Sequence, residues 1–124
     1  MNYWGVRLNR YRDLAVLIAK SPRGDQFLGQ VKVASPGWQR LMGWRNRGLC
    51  LGVWLIPCNS IHTFGMRESI DLLWLNRDRQ LIAIDSAVRP TSCRYRHDAY
   101  SVIELPVGVL AGHGFIEYYK DAIT

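Results

Sequence analysis

The chain has 124 residues, a formal net charge of +6 and a hydrophobic share of 48%. That is the length of one domain with enough apolar material for an ordinary core, which excludes an intrinsically disordered chain and a fold dependent on metal or disulfides. Its three cysteines, Cys50, Cys58 and Cys93, form no C-x-x-C pair, which excludes a disulfide framework and a zinc ribbon and reads as reduced thiols of a cytoplasmic protein.

The basic balance, with a sequence pI near 9.6, raises nucleic acid as a partner. The arginines are scattered, from Arg7, Arg10 and Arg12 through Arg40, Arg45 and Arg47 to Arg77, Arg79, Arg94 and Arg96. Such interleaving equally fits guanidiniums snorkelling around a small core, so nucleic acid is the less favoured partner. The N-terminal apolar run, residues 14–19, has six residues. A signal-peptide core needs about 7–15 and a membrane span about 20, so neither a leader nor a membrane span is expected.

In chain order, residues 13–20 read as an apolar strand or a short buried helix, and Ser21-Pro22-Arg23-Gly24-Asp25 as a turn. Residues 30–34 read as a strand. Ser35-Pro36 is the best helix start, a capping hydroxyl followed by proline. Trp38, Leu41, Met42 and Arg45 follow at helical spacing as its inward face, and Gly48 stops it. Strands follow at residues 49–56, 60–67, 69–75, 80–84 and 100–105, with Asn76-Arg77-Asp78-Arg79 as a hairpin connection. Residues 88–98 read as irregular, 106–113 as one or two helical turns and 115–123 as a closing strand. The pattern predicts a mainly β (α+β) fold: a small antiparallel β-barrel or strongly curled sheet with one or two short helices.

The chemistry concentrates in Pro57-Cys58-Asn59-Ser60-Ile61-His62-Thr63-Phe64-Gly65-Met66-Arg67, a polar stretch between apolar strands. Polar groups close to a core must find hydrogen-bond partners or cost a few kcal/mol each. Two acids share such a context: Asp71 in Ser-Ile-Asp-Leu-Leu-Trp and Glu104 in Val-Ile-Glu-Leu-Pro. His62 has three readings: general base, metal ligand or hydrogen-bonded core histidine. Ser60 and His62, two apart on a strand, share a face but stand roughly 7 Å apart, a poor nucleophile–base pair. Cys58 and His62 supply two metal ligands, and a third would have to come from Asp71, Glu104, His97 or His113. No metal site is assigned and no cofactor is implied. Arg40 and Arg67 are expected to pair with Asp71 and Glu104, or to face a pocket and hold a ligand's carboxylate or phosphate. Trp44, Trp54 and Trp74 read most simply as core aromatics.

The central block, with Ile70-Asp71 after it, resembles the signature of domain of unknown function 192. Trp38-x-Arg40-Leu41 with Gly43, then Pro90, then Val102-Ile103-Glu104-Leu105-Pro106-x-Gly108 match in the same order, so the resemblance spans roughly residues 30–115. The chain departs from the pattern at Gly43-Trp44-Arg45, where the loop is shortened, and at Lys120-Asp121, which stands for a Gly-Asp pair. The resemblance implies a compact β-barrel-like fold; the length of the chain points to a single domain, residues 1–124, with residues 1–29 as an N-terminal extension or edge strand. It brings no activity with it.

Function is therefore left unknown by the sequence. The favoured expectation is a small cytoplasmic binding or accessory module with a polar cleft built from Ser60, His62, Thr63, Arg67, Asp71, Glu104 and Arg40, holding a small anionic or polar ligand. The alternatives are a small hydrolase with His62 as base and Asp71 or Glu104 as orienter, and a basic nucleic-acid-associated domain.

Overall fold

The computed structural model describes residues 4–34, 44–45 and 47–110. Nine strands account for most of them: β1 (Gly5–Tyr11), β2 (Leu14–Ser21), β3 (Gly24–Ala34), β4 (Gly52–Leu55), β5 (Ser60–His62), β6 (Ile70–Leu75), β7 (Leu81–Val88), β8 (Cys93–Tyr95) and β9 (Ser101–Pro106). Among the described residues only Trp44 and Arg45 are helical.

Turn chemistry sets the first three strands. Tyr11 pairs with Leu14 across a two-residue connection in which Arg12 takes φ 59°, the left-handed conformation that tight hairpins demand. Ser21 and Gly24 close the next two-residue turn, and the Ser21 hydroxyl accepts the Arg23 N–H at 3.2 Å. At the later hairpin the Asn76 carboxamide oxygen accepts the Asp78 and Gln80 N–H groups at 2.9 and 3.0 Å, a side chain standing in for a backbone turn.

Seven strands form one curled half-barrel sheet in the order β1-β2-β3-β4-β9-β6-β7, and β5 pairs with β8 in a separate two-stranded sheet. Every pairing is antiparallel except β3 with β4. Register shifts at Leu17/Ile18, Ile70/Leu72 and Trp74/Leu75 bend the sheet, since an extra residue on one strand raises the local twist.

Both faces of the sheet are covered. Leu17, Val31, Trp54, Leu73, Ile103 and Leu105 build one core; Val53, Leu55, Leu72, Trp74 and Val102 build the other, closed by Trp44, Cys58 and Ile61. β4 and β6 are buried along their whole length, and β9 up to Leu105. That explains why these segments read as nearly continuous apolar runs, interrupted by Asp71 on β6 and by Ser101 and Glu104 on β9, whereas β2 alternates. Fully burying each large side chain here contributes about 1.5–3 kcal/mol. Gly52 is required by packing: a Cβ built on it would collide with the Glu104 carbonyl oxygen on β9. On the first face, Arg79 lies over the Trp54 ring, 4.8 Å from its centroid, and donates to the Leu8 carbonyl at 3.4 Å, tying β1 to the β6–β7 connection across the curl of the sheet.

Several expectations change. Residues 13–20 are a strand, because their buried positions alternate. The strand expected over residues 60–67 stops at His62, because Thr63 turns inward and Gly65 takes φ 84°. Residues 88–98 contain β8, which pairs with β5 rather than with the large sheet. Residues 107–110 form a turn. Of the expected helix, Arg45 is exposed and Trp44 is the buried residue; Trp38, Arg40, Leu41 and Met42, like His113, Lys120-Asp121 and the strand expected over 115–123, lie outside the described residues.

Candidate functional site

The polar segment enters from β4 and is tied down before it reaches β5: the Cys58 N–H donates to the Tyr100 carbonyl at 2.7 Å. The Cys58 side chain is buried and its S–H donates to the Ser60 carbonyl at 3.1 Å. Alternation on β5 then decides exposure. Ile61 points into the second core, while Ser60 and His62 are exposed on the outer face. Across the pair, Ser60 lies opposite Tyr95 and His62 opposite Cys93; both partners are exposed. The histidine that sequence spacing coupled to Cys58 therefore has Cys93 as its cross-strand neighbour. Its ring packs instead on Phe64, with centroids 5.4 Å apart and planes tilted by 32°.

Thr63 is fully buried and serves the backbone. Its hydroxyl accepts the Ser92 N–H at 2.7 Å and donates to the Arg89 carbonyl at 2.8 Å, while the main chain adds Thr63 N–H to Ser92 O and Thr91 N–H to Thr63 O. This clasp holds the bend at Thr91, whose φ is 61°. Asp71 is likewise committed. One carboxylate oxygen accepts the Ala87 N–H at 2.8 Å and the other the Gly108 N–H at 3.4 Å, at the register shift where β7 carries residues in excess of β6. Glu104, also buried, lies opposite Leu72 and Val53 and shares their face. Asp71 lies opposite Leu105, so the two acids leave the sheet on opposite sides.

The turn after Thr63 forms a cavity of about 420 Å³. Arg45, Arg47 and Arg67 line it with Glu68, Trp44 and Met66, and Gly65 forms part of its wall. The Trp44 indole N–H donates to Glu68 Oε1 at 3.1 Å, and the same oxygen is 3.8 Å from Arg47 Nη2. The Arg47 guanidinium lies over the Trp44 ring, 3.8 Å from its centroid, and donates to the Trp44 carbonyl at 2.9 Å. Arg45 Nη2 donates to the Gly65 carbonyl at 2.9 Å. Arg67 is exposed and makes no hydrogen bond or ion pair among the described residues. Three guanidiniums face one carboxylate, so the cavity carries excess positive charge.

A second cavity, about 610 Å³, lies at the other end of the segment and is lined by Asn59, Arg77, Asp78, His97, Asp98 and Tyr100, among others. It mixes both charge signs, and Arg77 stacks on Tyr100 at 4.4 Å. Among the described residues, no three of His, Cys, Asp and Glu gather as a metal site would require.

The predicted constellation is thus divided. Ser60 and His62 share an exposed face, Thr63 is a buried clasp, Arg67 reaches the arginine-lined cavity, Asp71 and Glu104 occupy opposite faces of the other sheet, and Arg40 lies outside the described residues. Sequence reasoning missed Arg45, Arg47 and Glu68 as a group. The signal was Arg45 and Arg47 closely following an aromatic, Trp44, but Glu68 is over twenty positions away, and only the fold brings it to them.

No curated protein is significantly similar to the chain. Two solved structures share its fold. A protein of unknown function from Novosphingobium aromaticivorans DSM 12444 matches with a TM-score of 0.65 and 15% identity, over 89% of this chain and 86% of that one. A candidate transcription regulator from Sinorhizobium meliloti 1021 matches with a TM-score of 0.63 and 19% identity, over 92% of this chain and 89% of that one. The family model described as an uncharacterized ACR, DUF192, matches residues 19–117, a wider span than the motifs alone indicated. With that match over most of its length, and the curled β sheet to go with it, the chain belongs to the DUF192 family.

Proposed function

We propose that the protein is a small binding module whose cleft lies at the Arg67 end of the polar segment and takes a small anionic ligand, a carboxylate or a phosphate. The observation that carries this reading is the cavity of about 420 Å³ in which three arginines meet a single glutamate. Arg47 is held by its stack on Trp44, and Arg45 by the Gly65 carbonyl, so two of the three charges are preorganised. Arg67 is exposed and has no such engagement among the described residues, which suits it to meet the ligand. Guanidiniums bind planar anions in bidentate fashion and are poorly hydrated, which suits them to this task. Binding is favoured over hydrolysis because both Asp71 oxygens are occupied by main-chain amides, leaving the exposed His62 without that orienter. The free cysteines, one of them the exposed Cys93, support a reducing, cytoplasmic setting.

Calorimetric titration with pyrophosphate and citrate at low salt tests the proposal. At least one should bind, and Arg67→Ala should weaken it by tenfold or more without shifting the thermal midpoint. Absence of binding by both anions, or identical affinity in Arg67→Ala, overturns it.

A further inference from the structure

We infer that the anion this cleft takes is the phosphate of a nucleotide, whose base stacks on the exposed His62–Phe64 ring pair. The inference rests on the binding reading above and adds what lies beside the cavity. Phe64 precedes Gly65, a residue of the cavity wall whose carbonyl Arg45 holds. The aromatic platform therefore begins one residue from the anion site. Phe64 is 47% exposed, and its ring continues into that of His62 at 5.4 Å. Together they offer a solvent-facing aromatic surface of two rings inclined by 32°, where the core gains nothing from it. Every base has a π face for such a surface, whatever its identity. Across the small sheet Tyr95 is 66% exposed and sits diagonal to His62 on the same face, so the platform extends away from the cavity. The excess charge of the whole chain, +6, attracts phosphates to the protein in general, and the three arginines of the cavity lie next to this face. A simple carboxylate ligand would use the guanidiniums and leave the ring pair idle; a nucleotide uses both.

A nucleotide can arrive free or within a single strand, and the test separates the two. Affinities for pyrophosphate, ADP and a short oligothymidylate are measured with the intact chain, with Phe64→Ala and Phe64→Leu, and with Tyr95→Ala. The inference expects ADP to bind roughly 5- to 150-fold more tightly than pyrophosphate, the range that one base stacked on an aromatic supplies. Both Phe64 variants should erase that preference while leaving pyrophosphate affinity unchanged; Phe64→Leu keeps apolar bulk and guards against a folding defect. Tighter binding of oligothymidylate than of ADP, with Tyr95→Ala weakening only the former, means that the nucleotide comes in a strand. ADP equal to or tighter than the oligonucleotide, with Tyr95→Ala silent, means a free nucleotide. Equal affinity for ADP and pyrophosphate, or an equal loss of both in Phe64→Leu, overturns the inference and leaves the anion-binding module standing. Failure of all three ligands to bind removes the inference, and the binding module with it only if citrate fails as well.

Discussion

Asp71 and Glu104 lie one register step apart on adjacent strands, β6 and β9, yet their side chains leave the sheet on opposite faces. Both are buried, at 2% and 4% exposure, and neither can serve the same site as the other. For Asp71 the task is visible: it satisfies main-chain N–H groups of Ala87 and Gly108, where β7 bulges and the chain leaves β9. Hydrogen bonds to a charged acceptor contribute about 1.5–3 kcal/mol each when well formed. Asp71→Ala should therefore destabilise the fold by about 2–4 kcal/mol, and Asp71→Asn, which keeps one acceptor, by less. Chemical denaturation checks this. An Asp71→Ala protein of unchanged stability that has lost ligand affinity would instead make the carboxylate part of the binding site.

Thr63 allows a cleaner test of the same principle. Thr63→Val preserves shape but leaves the Ser92 N–H and Arg89 carbonyl without their 2.7 and 2.8 Å bonds to the buried Thr63 hydroxyl. A loss of about 1–3 kcal/mol is expected. Thr63→Ser keeps the hydroxyl and removes one methyl, which costs about 1 kcal/mol. If valine is tolerated better than serine, the methyl rather than the hydroxyl holds the bend.

At the cavity, Arg47→Lys retains the charge and discards the planar stack on Trp44 with its bond to the Trp44 carbonyl. Lysine is a point charge and reproduces neither feature. Anion affinity should fall several-fold at constant net charge, read by calorimetry. Unchanged affinity would mean that charge alone attracts the ligand and that the arrangement of the guanidiniums is immaterial.

The three thiols should react in order. Cys93 is exposed, Cys50 intermediate and Cys58 buried with its S–H donated to the Ser60 carbonyl. With a chromogenic disulfide reagent, Cys93 should label first, Cys50 more slowly, and Cys58 only under denaturing conditions. Rapid labelling of Cys58 in the native protein would show that the turn at residues 57–59 opens.

Gly52→Ala should be among the most damaging single changes. The new methyl would meet the Glu104 carbonyl, a backbone atom that cannot swing aside. Overpacking typically costs about 1–3 kcal/mol and more where main chain is displaced, so a loss of about 3 kcal/mol or more is expected by thermal or denaturant unfolding.

Much of the fold was legible because its signals are local. Apolar runs at β6 and β9, the Asn76 turn and the Ser21–Gly24 turn announce themselves within a few residues. The pairing of β5 with β8 was not legible: three-residue strands carry too little periodicity, and their partners are about thirty residues apart. The site divided in the same way. That Thr63 and Asp71 would need hydrogen-bond partners if they were buried followed from polar residues in apolar surroundings. Their partners, main-chain amides at Ser92, Ala87 and Gly108, have no signature, because every residue owns such a group. The arginine cavity escaped for a third reason, since its members acquire meaning only once Trp44 and Glu68 stand side by side.

A sheet with a core on each face has a consequence for how this chain can vary. On β2, where buried and less buried positions alternate, substitutions should be accepted at every second residue. On β6, where all six residues are buried, no position has a solvent side on which to drift. Divergence should therefore collect in the N-terminal hairpin and on the outer face of β5 and β8, while β4, β6 and β9 stay predominantly apolar, with Asp71 and Glu104 as the only acids they admit.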